Sequence, residues 1–348
     1  MKECPHMTRS RMALIPAFAL FLAGSGTAQE QQFASLGDFK LGSGEILRDC
    51  RIGYRTFGKL NAAKSNVILF PSWAGGNTGQ MQSTIGPGTG LDLSKDFVVA
   101  VDPLSNGVSS SPSNSRLQPH MHFPKFTVRD MVETQHALLT RVLHINHLKA
   151  VMGISMGGMQ TFQWIVSYPV FMDRAIPIVG SPQLAPYDML HWQTQIDAIV
   201  NDAAWRNGDY AENPARVAEA EFGALLLTTP EHFNQRTTRQ QVFEMLDNAK
   251  KEKSGSDANN KIRQVQAMMS IDVAEKFGGS LTAAAAAVKA KVLVISATHD
   301  HVVTPSPSFE FGRLLHAGIV RLEGDCGHSA PSCEGAKVAA AVHAFLYQ

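Results

Sequence analysis

The chain has 348 residues, of which 44% are hydrophobic and 18% charged, and a formal net charge of +1. That is a globular composition, long enough for one large core or two modest ones. The near-neutral balance excludes field-driven attraction to nucleic acid or to an anionic membrane surface.

The N-terminus reads as an address. Arg9 and Arg11 precede the apolar run ALIPAFALFLAG at 13–24, and Gly26 and Ala28 are placed for signal-peptidase cleavage. The run is shorter than the roughly 20 residues a membrane span needs. Residues 1–28 are therefore expected to be a cleavable signal peptide, starting at Met1 or Met7, on a periplasmic or secreted protein. Export implies an oxidising compartment. Cys50, Cys326 and Cys333 remain after cleavage, so at least one is free or pairs between chains. Cys326 and Cys333 in CGHSAPSC could bridge around His328, but spacing does not fix loop geometry, and the pairing stays open.

From about residue 38 strands and helices alternate. DFKL (38–41) and ILRDCRIGYRTFG (46–58) read as a hairpin turning at 42–44. NVILFPS (66–72) and DFVVAVDP (96–103) read as strands, each closed by proline and a polar loop. Residues 126–145 carry apolar positions three and four apart, with Thr127 and Asp130 as a capping box, which predicts an amphipathic helix. HLKAVMGI (147–154) is the next strand, MGGMQTFQWIVSYP the next helix, and RAIPIVGS (174–181) a further strand. This succession argues an α/β fold with a mostly parallel central sheet and helices on both faces.

The rhythm breaks over 182–290, where helical stretches dominate, and resumes with strands at 291–300 and 318–328 and a last helix at 334–347. The expected organisation is a core in two parts, 29–181 and 291–348, with a helical lid, 182–290, inserted between them. Blocks inserted at the carboxyl ends of such strands cover the ligand crevice.

The segment VMGISMGGMQ (151–160) places Ser155 in a Gly-x-Ser-x-Gly pattern between a predicted strand and a predicted helix. Glycines at 153 and 157 permit a turn too sharp for side chains, which lifts the serine above the sheet edge. A serine hydroxyl needs a base, and the base needs an orienting acid, in the chain order Ser, acid, His. Asp300 follows the strand at 291 and His328 follows the strand at 318, at the same sheet edge as Ser155. An imidazole suits proton transfer near neutral pH. The Met156 N–H, first in its helix, is one expected oxyanion donor. The loop PSWAGGN should supply the second, assigned to Trp73 with Ala74 as the alternative. The alternations HMH (120–122) and HDH (299–301) lack nearby cysteines or a metalloprotease helix and read as solvated loop histidines, so no metal and no cofactor are expected. Trp192 and Met189 are candidates to line an apolar acyl pocket.

SMGGMQ (155–160), FPKFTVRDMVETQHALL (123–139), YRTFGKLNAAKSNVILF (54–70), NGDY (207–210) and DANN (257–260) together resemble the homoserine O-acetyltransferase family of the α/β-hydrolase superfamily. The resemblance implies an α/β-hydrolase fold, a triad of Ser155, Asp300 and His328, an oxyanion donor at Met156, and a helical lid through which two chains pair as a homodimer. The chain departs from that family in two places. NGVSSSPSNS (106–115) stands where the family has GSTGP, and WQTQIDAI (192–199) lacks the arginine that grips the amino-acid carboxylate. A buried carboxylate without such a partner binds poorly. An exported enzyme would also not meet acetyl-CoA. The expectation is a serine hydrolase acting on a carboxylic ester or related acyl compound, with O-acyl transfer from acyl-CoA to an alcohol as the alternative.

Overall fold

The computed structural model describes residues 30–251 and 255–348. The expected signal peptide lies outside the described residues. Eight strands form one sheet: β1 (Gln32–Lys40), β2 (Ile46–Gly58), β3 (Val67–Pro71), β4 (Phe97–Val101), β5 (Leu148–Ile154), β6 (Met172–Ile178), β7 (Lys291–Ala297) and β8 (Gly318–Leu322). Their spatial order is β1-β2-β4-β3-β5-β6-β7-β8. The β1–β2 hairpin and the β2–β4 pair are antiparallel. Every later pair is parallel. The α/β fold expected from the alternation is present.

The alternating side chains of β3 show how the sheet is buried. Val67 and Leu69 enter one hydrophobic cluster, while Ile68 and Phe70 enter the other. Burying one such side chain contributes about 1.5–3 kcal/mol, so a strand with two covered faces is fixed in register. The first face is covered by α1 (Val128–Ala137), α2 (Met156–Ser167), α8 (Leu281–Ala287) and α9 (Ser306–Leu314). The second is covered by α10 (Ala330–Cys333), α11 (Gly335–Tyr347) and a 3₁₀ turn at Gln80–Thr84.

Between β6 and α8 lie α3 (Pro186–Val200), α4 (Val217–Leu227), α5 (Pro230–Arg236), α6 (Arg239–Lys251) and α7 (Ala258–Met269). Asn260 of the DANN motif fastens this block to the core. Asn260 Nδ2 donates to Ser113 Oγ, and Ser105 Oγ donates to the Asn260 carbonyl, at 2.8 and 3.0 Å. Within the block, Asn259 Nδ2 donates to the Gly208 carbonyl at 2.8 Å.

Three local readings change. The capping box at Thr127 and Asp130 is present, but α1 stops at Ala137 and passes into a π turn at Leu138–Val142. That wider turn keeps both Leu138 and Leu139 buried. The last parallel strand ends at Leu322, and residues 323–328 leave the sheet as a loop. Helix α9 is short and has prolines at its cap and in its first turn, Pro305 and Pro307, which hide it in the sequence.

Candidate active site

Ser155 joins β5 to α2 with φ +58° and ψ −120°. Positive φ is sterically costly for a residue with a Cβ, and strain of this kind concentrates at functional sites. Two close approaches impose the turn. A Cβ on Gly153 would collide with the Gly157 backbone, and one on Gly157 would collide with the Pro71 carbonyl at the end of β3. Ser155 N–H donates to the Ile178 carbonyl at 2.9 Å, which ties the turn to β6. Gly157→Ala should therefore destabilise the protein by about 1–3 kcal/mol through forced overpacking, measured by urea unfolding. Wild-type stability in that variant would contradict the close approach.

Asp300 lies in the turn after β7, and His328 in a 3₁₀ turn at Gly327–Ser329 after β8. His328 Nε2 is 2.9 Å from Ser155 Oγ. His328 Nδ1 is 2.7 Å from Asp300 Oδ2. Asp300 Oδ1 accepts from the Val302 and Val303 N–H groups at 2.8 and 2.9 Å. The buried carboxylate is thus held by backbone on one side and aims its other oxygen at the imidazole. An acceptor at Nδ1 assigns the proton there and leaves the Nε2 lone pair facing the serine.

The structure closes the cysteine question. Cys326 and Cys333 are bridged, with Cα atoms 6.5 Å apart, and the bridge encloses His328. Cys50 is free and buried in β2. Two residues of the inserted block reach the same loop: Thr229 Oγ1 donates to the Asp325 carbonyl at 2.8 Å, and His232 Nδ1 is 3.0 Å from Asp325 Oδ1.

Met156 N–H opens α2, where helical donors have no intrahelical acceptor. Trp73 follows β3 at the same sheet edge, and its carbonyl accepts from Gly76 N–H at 3.1 Å, closing a tight turn. Among the described residues neither the Met156 nor the Trp73 N–H has an acceptor. Asp102, fully buried, pins the far side of this loop. It accepts from Thr78 N–H at 2.8 Å, Thr78 Oγ1 at 2.9 Å and Asn106 Nδ2 at 3.0 Å. Gln264 of α7 accepts from Gly75 N–H at 2.8 Å, so the inserted block also touches the loop.

A cavity of about 420 Å³ opens beside the triad, within the size range of small-molecule sites. Trp73 and His328 line it, with Phe70, Met152, Ile178 and Val338 making an apolar wall and Ser83 and Ser332 among the polar lining residues. Trp192 is buried in the core cluster and Met189 is exposed, and neither lines the cavity, whose helical wall is α11.

Two residues of α3 escaped the sequence reading. His191 Nε2 is 2.7 Å from the Val302 carbonyl, and Asp188 accepts from Thr304 N–H and Oγ1 at 3.2 and 3.0 Å. Both grip the turn that carries Asp300. Burial pushes the His191 imidazole below its ordinary pKa and the Asp188 carboxyl above its own. In each case burial works against the charged form. Polar helix positions next to apolar ones give no signal of such a role. The histidine alternations do not gather: His120 Nδ1 meets the Gly208 carbonyl at 3.0 Å, and His299 is exposed. Among the described residues the one grouping with metal-ligand spacing is His232, Asp325 and Cys326. Its sulfur is already committed to the bridge.

A serine on a strained strand-to-helix turn, hydrogen-bonded to histidine at the carboxyl edge of a mostly parallel sheet, defines the class of serine-nucleophile acyl-transfer enzymes. The chain belongs to the alpha/beta hydrolase fold family, which it matches over residues 66–331. It is 34% identical over 286 residues to an ethyl acetate hydrolase of Pseudomonas veronii, covering 78% of this chain and 81% of that protein. A homoserine O-acetyltransferase of Caulobacter vibrioides is 28% identical over 368 residues, covering 93% and 95%. The solved structure of an acetylester hydrolase from Corynebacterium glutamicum superposes with a TM-score of 0.84 at 28% identity, covering 91% and 95%.

Proposed function

We propose that the chain hydrolyses carboxylic esters through an acyl-enzyme on Ser155. The observation that carries this is the hydrogen-bonded line from Ser155 through His328 to Asp300, with His328 also lining an apolar cavity. His328 Nε2 takes the Ser155 proton as Oγ bonds to the ester carbonyl carbon. The oxyanion faces the N–H groups of Met156 and Trp73. His328 then passes its proton to the departing alkoxide, and the C–O bond to the alcohol breaks. A water, deprotonated by the same nitrogen, attacks the acyl carbonyl carbon; the bond to Oγ breaks, His328 returns the proton to Ser155, and the acid leaves. No step asks for a metal or an organic cofactor.

Transfer to an alcohol uses the same triad and differs only in the second acceptor. Recognition of an amino-acid acceptor would need a cation for its carboxylate. Two lid cations are committed elsewhere: Arg216 and Lys261 both pair with Glu219, at 3.4 and 3.2 Å. A third, Arg263, donates to the Phe123 and Met121 carbonyls. This favours water. The test is labelling by a fluorophosphonate, then turnover of p-nitrophenyl esters with and without homoserine. Steady hydrolysis in plain buffer is expected. Product formed only with homoserine would move the assignment to transfer, and absence of labelling would remove the enzyme reading.

The cavity takes one apolar substituent of the ester. Ala339 lines it on α11. Ala339→Phe should lower kcat/KM for p-nitrophenyl octanoate at least tenfold and leave p-nitrophenyl acetate within twofold, since each buried methylene contributes about 0.8 kcal/mol. A parallel series of alkyl acetates tells whether the acyl or the alcohol side enters. Unaltered chain-length profiles in both series would exclude the cavity as the substrate pocket.

We further propose that the chain is exported. The Cys326–Cys333 bridge supports an oxidising compartment, and no helix among the described residues is long and apolar enough to cross a membrane. Pairing of two chains through the lid is also a proposal. It is supported by Leu225 and Phe243, exposed on α4 and α6.

A further inference from the structure

Gln160, on the first turns of α2, is fully buried. Its Nε2 donates to the Ser72 carbonyl at 3.2 Å and to the Met156 carbonyl at 3.1 Å. Its Oε1 accepts from Gln135 Nε2. Gln135 Oε1 in turn accepts from Trp164 Nε1 at 2.8 Å. The direction of this buried chain is forced. The indole N–H can only donate, which turns the Gln135 oxygen towards it and the Gln135 amide nitrogen towards Gln160. The two backbone carbonyls can only accept, which turns the Gln160 nitrogen towards them.

The Ser72 carbonyl and the Trp73 N–H belong to one peptide unit. In a trans peptide they point in opposite directions. Fixing the Ser72 oxygen against α2 therefore fixes the Trp73 N–H on the far side. The collision-free approach of Gly157 to Pro71 brings this peptide within reach of α2. We infer that Gln160 is a positioning residue: it locks the Ser72–Trp73 peptide so that the Trp73 N–H is aimed at the oxyanion before substrate arrives. This rests on the reading of Trp73 as an oxyanion donor. It adds that the donor's orientation is set by a side chain five residues past the nucleophile.

A donor held in advance acts on the transition state and hardly at all on ground-state binding. Gln160→Met keeps the length and removes both amide groups. It should lower kcat on p-nitrophenyl acetate by about 10- to 100-fold, below the ~10²–10³ typical of losing a donor outright, with KM within twofold. Affinity for a trifluoromethyl ketone, which forms an oxyanion on Ser155, should weaken by the same factor. Turnover is expressed per site titrated with fluorophosphonate, so partial unfolding does not imitate the effect. Gln135→Met removes the lock on the Gln160 amide and should give the same pattern at about 3- to 10-fold; it serves if the first variant does not fold. Wild-type kcat per titrated site and wild-type ketone affinity in these variants would overturn the inference alone. A wild-type protein with neither ester turnover nor ketone binding would overturn the proposed function with it.

Discussion

Ser155→Ala is expected to lower kcat for ester hydrolysis by roughly 10⁵- to 10⁶-fold, because the triad acts as a unit and loses nearly everything with its nucleophile. Ser155→Gly should be equally inactive, and comparing the two isolates the strain of the turn. At φ +58° and ψ −120° both serine and alanine carry a Cβ in a region that glycine enters freely. Strain of this kind amounts to about 1–3 kcal/mol, partly offset by the greater freedom of glycine in the unfolded chain. The glycine variant should be more stable than the alanine variant by about 1 kcal/mol in urea unfolding. Equal stabilities would dispose of the claim that the fold stores strain at the nucleophile. Retained turnover in either variant would dispose of Ser155 as the nucleophile.

Asp300→Asn should lower kcat by about 10³- to 10⁴-fold with little change in stability. The reason lies in the two donors behind the carboxylate. Val302 and Val303 present N–H groups to Oδ1, so an asparagine must turn its carbonyl to them. Its NH₂ then faces His328 Nδ1, where an acceptor stood before. The imidazole answers with its other tautomer, carrying the proton on Nε2, and cannot take the serine proton. Slow fluorophosphonate labelling with an unchanged circular dichroism spectrum is the expected signature. Wild-type labelling rates would show that the acid has no part in setting the tautomer.

What could be read from the text follows the range of each constraint. The nucleophile turn was legible because Gly153, Ser155 and Gly157 act within five residues, and the capping box at Thr127 within four. Asp300 and His328 were legible because strand ends mark the sheet edge. The disulfide was open in the sequence because a seven-residue separation permits a bridge without requiring it. Contacts across long separations were not legible. Gln264 on Gly75 and Asp188 on Thr304 join segments more than a hundred residues apart. Gln160 lay inside the quoted motif, yet its role depends on which carbonyl the end of β3 presents to it. The cavity beside His328 was not legible for a similar reason. Aromatic residues in the lid look like a binding wall, whereas the space lies against α11, whose small residues at 335 and 339 leave room.

The sulfur in β2 has a bearing on how the bridge around His328 can be made correctly. Cys50 is 0% exposed, and burial pushes its thiol up to about 12, so in the finished fold it neither ionises nor meets a partner. A third thiol beside a bridged pair invites scrambling only while it is accessible. With Cys50 sealed inside the sheet, the bridge around His328 is out of reach of exchange with it in the folded chain.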